Sequence, residues 1–213
     1  MINNDSMTHN VDKVFISLFT ALLVVIFIAL TAADFATTLI ALENGVGIEL
    51  NPVAARGSDG IRIGFLVFAN VILLVPLVVA FAVGITRAAQ VPTVVLARWW
   101  RHILDIFFVS PLNDAARLRR PLRLVTAAMT LLVLKIVIVA SNLLVIAGYQ
   151  NPTSLLAALW THAGLTGAPR YWAAYAMMIV PCYIGAVGLA AAALRLAQYN
   201  ERGGGGKISC ANP

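Results

Sequence analysis

Charge is what this sequence has least of. Only 11% of its 213 residues are Asp, Glu, Lys or Arg, against about 25% in an ordinary soluble domain. That scarcity excludes a disordered chain, a basic nucleic-acid-binding arm and almost any water-soluble globule. Cysteine is nearly absent as well. Cys182 sits inside an apolar run and Cys210 in the tail, so neither a disulfide framework nor a Cys-rich metal site is available. The three histidines, His9, His102 and His162, fall in separate segments, which removes haem or metal ligation by paired imidazoles. None of them lies in an apolar run to serve as base for a serine nucleophile, so Ser58-Asp59-Gly60 has no catalytic context. The tail RGGGGKIS (residues 202–209) lacks the glycine spacing and the Ser/Thr after lysine of a phosphate loop. It reads as a flexible Gly-rich linker over 199–213. No cofactor is implied.

What the chain has in abundance is apolar length. Hydrophobic residues make up 61% of it, and the mean hydropathy is +0.88. A bilayer core about 30 Å thick needs roughly 20 apolar residues per helical span. Four runs meet that requirement, at about 14–42, 62–87, 124–149 and 170–195. Without strict alternation such runs are helices, because lipid offers the backbone no hydrogen-bond partner. The expected fold class is an all-α integral membrane protein, one four-helix domain over 1–198. A cleavable signal peptide is the alternative reading of the first run, with small residues at Ala29, Thr31 and Ala33. The leading segment is nearly neutral, however, and the run is longer than a signal h-region.

Lys and Arg set the expected orientation. Arg98, Arg101, Arg117, Arg119, Arg120 and Arg123 lie in the 88–123 connection, and Arg195, Arg202 and Lys207 follow the last run. The 43–60 loop is acidic on balance and the 149–169 loop uncharged. Positive-inside asymmetry then puts both termini and the long connection in the cytoplasm of a bacterial-type inner (plasma) membrane.

Two connections carry patterns of their own. Over 93–109 an amphipathic helix is expected, with Val95, Trp99, Ile103, Ile106 and Phe107 on one stripe and Arg98, Arg101, His102 and Asp105 mostly opposite. Paired Trp beside Arg suits a helix at the headgroup level; packing against a partner's cytoplasmic domain is the other reading. On the outer side, Asn151-Pro152 opens a short apolar helix over 152–163, too short to span, hence interfacial or re-entrant.

Ionisable groups at a helix centre cost about 2.5–3.5 kcal/mol each, and only Asp34 and Lys135 lie well inside these runs. At 1.5 Å per residue, Asp34 sits roughly 12 Å from the outer end of its helix. Asn70, Asn142, Thr37, Thr38, Ser141 and Tyr183 fall in the same half of the bilayer, with Lys135 one to two turns deeper than Asn142. Two readings follow. One is interhelical glue, in which the Lys–Asp pair cancels two costly charges. The other is an outward-facing site for a cation, proton or polar headgroup, with Asp34 as its anion. One intramembrane aspartate does not make an aspartyl-protease dyad.

The loop after the first run reads LENGVGIELNPVAARG, with Gly45 and Gly47 free to take positive φ and Asn51-Pro52 a cap followed by an N1 proline. Asp34-x-x-x-Thr38 on the first helix, followed by Glu49-x-Asn51-Pro52, resembles an uncharacterised prokaryotic multi-pass membrane family. The resemblance covers the first two runs and reaches Asn142 in the third. It implies that Asp34, Thr38, Glu49, Asn51 and Pro52 are signature positions, and it brings no activity with it. Asn151-Pro152 echoes Asn51-Pro52 as a weak internal repeat of two hairpins. Pro76 and Pro181 interrupt helices at mid-depth. Gly185, Gly188 and the run Ala190–Ala193 give the last helix a small-residue face.

The expected function is a non-catalytic accessory, assembly or structural subunit of a larger inner-membrane complex, with the bilayer and other membrane subunits as partners and no nucleic acid. The alternatives are a small transporter or binding protein centred on Asp34 with Lys135, Asn70 and Asn142, or an enzyme on a lipid-linked substrate with Glu49 and Asp34 as acid and base.

Overall fold

In a computed structural model, described over residues 13–45, 59–103 and 114–204, every regular element is helical. The helices are α1 (Lys13–Glu43), α2 (Asp59–Thr86), a short α3 (Thr93–Ala97), α4 (Asp114–Ile146), α5 (Pro152–His162) and α6 (Ala168–Gly204), with single 3-10 turns at Ala88–Gln90 and Trp99–His102. Four of them, α1, α2, α4 and α6, contain stretches long and apolar enough to cross a membrane. α2 and α6 continue through Pro76 and Pro181, and α4 starts ten residues before its apolar run and continues through Pro121.

The four long helices run up and down. Phe19 of α1 meets Phe81 near the far end of α2, ring centroids 5.6 Å apart, so these two are antiparallel. α4 is the helix shared by the others, with α1, α2 and α6 all packed on it. The surface they leave is apolar: Val14 is 72% exposed, Leu18 70% and Phe68 63%. An apolar surface this continuous is far larger than the patches a soluble monomer shows.

The largest buried side chains cluster at the end where α2 finishes and α4 begins, which carries Arg87, Arg98, Arg101, Arg120, Arg123 and Arg195. There Phe81 and Ile85 of α2, Leu122 and Val125 of α4 and Leu194 of α6 are buried together with Leu96. Close approach is possible because Gly84 faces α4: a Cβ built on it would lie 2.5 Å from Val125 Cγ2 and 3.0 Å from the Pro121 carbonyl. Gly188 of α6 likewise receives the Trp99 ring, 3.2 Å from where its Cβ would be.

The connection between α2 and α4 departs from the expected single helix over 93–109. It is a five-residue helix, Thr93–Ala97, then a 3-10 turn, with Arg98 between them at φ −116° and ψ 38°; residues 104–109 lie outside the described residues. The apolar stripe also turns inward. Val95 and Leu96 are buried and Trp99 packs on the core, whereas Val94 and Trp100 are exposed, with the Arg101 guanidinium 5.0 Å over the Trp100 ring. The cause is on α6. Its small-residue face admits the connection, and its polar residues bond carbonyls just before the short helix and near its end. The Gln198 amide donates to the carbonyls of Ala88 at 2.8 Å and Val91 at 2.7 Å, and Arg195 donates to that of Leu96.

At the opposite end, Asn151 caps α5 by accepting from the Ser154 N–H at 2.6 Å, with Pro152 in the first turn. Its amide also donates to the Ser141 carbonyl at 3.4 Å. Thr153 lies beside Met178, and Thr161 beside Arg170, so α5 starts alongside the interior of α6 and runs back, antiparallel, towards the α6 start. It does not lie flat across the bundle end.

The glycine contacts give the first test. Gly84→Ala must push Val125, a stiff β-branched residue, or a backbone carbonyl, and is expected to cost about 1–3 kcal/mol. Gly185→Ala, with nothing within 4 Å of its Cβ position, is expected to be neutral or to gain up to about 1 kcal/mol from reduced backbone entropy. Thermal unfolding in detergent reads both.

Candidate functional site

Five of the charged and polar positions singled out from the sequence come together on the facing sides of α1 and α4. The Lys135 ammonium lies 3.5 Å from Asp34 Oδ2, with the two side chains 12% and 26% exposed respectively. Farther along both helices, the Asn142 amide donates to Thr37 Oγ1 and Thr38 Oγ1, each at 3.2 Å. Lys135 and Asn142 are seven residues apart, two turns on one helix face, and Thr37 and Thr38 follow Asp34 by one turn. The contacts therefore occur in the same order on both helices, which makes α1 and α4 parallel neighbours despite the roughly hundred residues between them. Phe27, two turns before Asp34 on the same face of α1, completes the pocket for the ammonium, 5.2 Å from its ring centroid.

Each group in this cluster has partners within it. Thr37 Oγ1 reaches back to the carbonyls of Ala33 at 2.9 Å and Asp34 at 3.1 Å, the usual local bond of a helical threonine. Both hydrogens of the Asn142 amide are directed at threonine oxygens of the other helix. The dominant energy is the ion pair, because removing one member of a poorly solvated pair costs about 3–5 kcal/mol, whereas interhelical polar contacts of this kind average about 0.6 kcal/mol each.

The remaining positions sort differently. Asn70 of α2 joins α1 one turn away from Asp34, through the Thr31 hydroxyl at 3.5 Å. Ser141 shares Asn142's depth yet faces α5, with Thr153 Oγ1 at 3.3 Å. The Tyr183 hydroxyl is buried within electrostatic reach of Arg123, towards the basic end. The expected layer shared by four helices is therefore a two-helix cluster, with Asn70 adjoining it and α5 taking up the serine. Gly45 has the positive φ expected of it, +67°. Glu49, Asn51 and Pro52 lie outside the described residues. Phe27, Thr31 and Thr153 were not singled out from the sequence; the i, i+7 spacing of Phe27 and Asp34 was the signal available.

Among the described residues no group of three His, Cys, Asp or Glu side chains has the arrangement to hold a metal ion. A cavity of about 450 Å³ lies on the other side of α4, between α4, α5 and α6, and its lining is almost entirely apolar. No protein-family model, curated protein or solved structure matches the chain. Within the described residues, the resemblance noted above rests on Asp34 and Thr38.

The arrangement makes Asn142 a pure interhelical contact, with a consequence for stability. Asn142→Leu is expected to cost about 1 kcal/mol, the loss of two such hydrogen bonds, without changing helical content. Unfolding midpoints in detergent, alongside far-UV circular dichroism, check this.

Proposed function

We propose that this chain is a non-catalytic integral membrane protein of the bacterial-type inner membrane. In this reading its termini are cytoplasmic and it serves as an accessory, assembly or structural subunit of a larger complex. The carrying observation is that, among the described residues, the charged and polar groups of α1 and α4 are paired with one another. Asp34 and Lys135 face each other, and Asn142 spends its amide on Thr37 and Thr38. A group already committed to a neighbour stabilises a fold; a transport or catalytic site keeps valences open for its ligand. The exposed apolar faces of α1 and α2 support lipid contact, and the arginines gathered at one end support the orientation. The resemblance to the Asp-x-x-x-Thr family supports the weight given to Asp34 and Thr38, and adds no reaction.

The second reading, an outward-facing binding site centred on Asp34, draws on the carboxylate's residual 26% exposure. The two part in a mutational cycle. If the pair is a staple, Asp34→Asn and Lys135→Met each cost about 3 kcal/mol by stranding a charge. The double variant, with no charge left, should return to within about 1 kcal/mol of the parent. Single variants as stable as the parent overturn the staple and favour the binding site. The subunit role has its own test. Native purification in mild detergent should yield the chain with partners in fixed ratio, and a solitary monomer overturns it.

A further inference from the structure

The apolar cavity opens between three helices: Val133 and Val137 of α4, Pro152 and Leu156 of α5, and Met177 and Pro181 of α6 line it. Met177 and Pro181 lie about two and three helical turns beyond Arg170, and Met177, at i+7, shares its face of α6. Arg170 stands at the start of α6 with an unusual set of partners. Its guanidinium donates to the hydroxyls of Thr161 and Tyr171, each at 3.2 Å, and stacks 4.8 Å from the Tyr171 ring. Its Nε–H is buried with no hydrogen-bond acceptor, and so is the indole N–H of Trp160, the residue before Thr161. No aspartate or glutamate occurs between Asp114 and Glu201, so α5, the rest of α4 and α6 up to that point offer this cation no carboxylate. A guanidinium with one N–H still unmatched and no carboxylate on the surrounding helices fits a phosphate oxygen.

The dimensions agree with one occupant. Arg170 to Pro181 is eleven residues, about 16 Å of helix, and half of a hydrocarbon core is about 15 Å. A chain beginning at a headgroup beside Arg170 would reach the floor of the cavity at about mid-bilayer. Trp172 and Tyr149, both exposed at the same end, are the aromatic residues that favour the headgroup level. We propose that the groove between α4, α5 and α6 is a specific phospholipid site, holding one acyl chain against Met177 and Pro181 and the phosphate on Arg170. This rests on the membrane reading above.

The test uses the full-length protein, purified in mild detergent and titrated with phosphatidylglycerol, with bound lipid counted by native mass spectrometry. One tightly held lipid per chain is expected. Arg170→Gln should weaken it about tenfold or more, the loss of one charge-assisted contact, and Met177→Trp should displace it by filling the groove while leaving Arg170 in place. Glycerol phosphate, the same headgroup without acyl chains, should bind the parent at least a hundredfold more weakly. Equal binding of glycerol phosphate, or of inorganic phosphate, overturns the proposal in favour of a simple anion site. Lipid retention unchanged in both variants overturns it in favour of a non-specific annulus. Should Arg170→Gln fail to fold, the Met177→Trp and glycerol phosphate arms decide alone. A chain found in the membrane fraction that retains no lipid sinks this inference only, whereas a chain recovered soluble without detergent sinks the membrane reading itself.

Discussion

Helices as apolar as these offer a charged side chain almost nothing to bond with, so it must find its counter-charge on a neighbouring helix or be stranded. The Lys135–Asp34 pair is the most demanding case, because among the described residues no other Asp, Glu, Lys or Arg lies near the middle of these helices. Once Lys135 is placed on α4, α1 has to present Asp34 to it, and the parallel seating of two helices far apart in sequence follows. Asn142 with Thr37 and Thr38 repeats the same requirement one level along, where the energies are smaller and the groups neutral. The pairing fixes rotation and register together: sliding α1 by one residue turns Asp34 by about 100° away from α4.

The same shortage of partners organises the basic end by other means. The irregular connection exposes carbonyls at Ala88, Val91 and Leu96, and α6 answers with Gln198 and Arg195 while its glycine and alanine face lets the connection come close enough to be reached. Burial of Leu96 and Trp99 and capture of the carbonyls are therefore one solution, since neither survives without the close approach at Gly188. The bundle is consequently asymmetric. One end is closed by apolar packing over a hydrogen-bonded elbow. The other is held by polar staples and by α5, whose Asn151 cap reaches to α4 as well as to its own first turn.

How far this was legible in the sequence depended on whether a feature was one-dimensional. The four long helices followed from uninterrupted apolar runs, and Asp34, Lys135 and Asn142 followed from depth along a helix axis. Depth carries no direction around that axis. Ser141 and Asn142 occupy one level yet point about 100° apart, so one meets α5 and the other α1. Tyr183 shared the depth and faces Arg123. The stripe of Val95 and Trp99 was legible as a stripe, but which surface it faced was not. That depended on Gln198, a single amide a hundred residues away with no local pattern to announce it. A helix was reasonable over 93–97 and its continuation was not, because the break at Arg98 is sustained by acceptor–donor pairs made only in the folded bundle.

These placements make α4 a wall with unlike sides. Lys135 stands on it between Val133 and Val137 in sequence, and two residues along a helix is a turn of about 200°, so the ammonium faces α1 while the valines face the groove. The wall is supported on the α1 side by the Lys135–Asp34 pair, 3.5 Å apart. On the groove side, the support is whatever fills the space between α4, α5 and α6. An empty apolar space there would leave the lining without dispersion partners, and α4 free to lean into it and draw Lys135 away from Asp34. The polar staple and the apolar groove therefore bear on one helix from opposite faces.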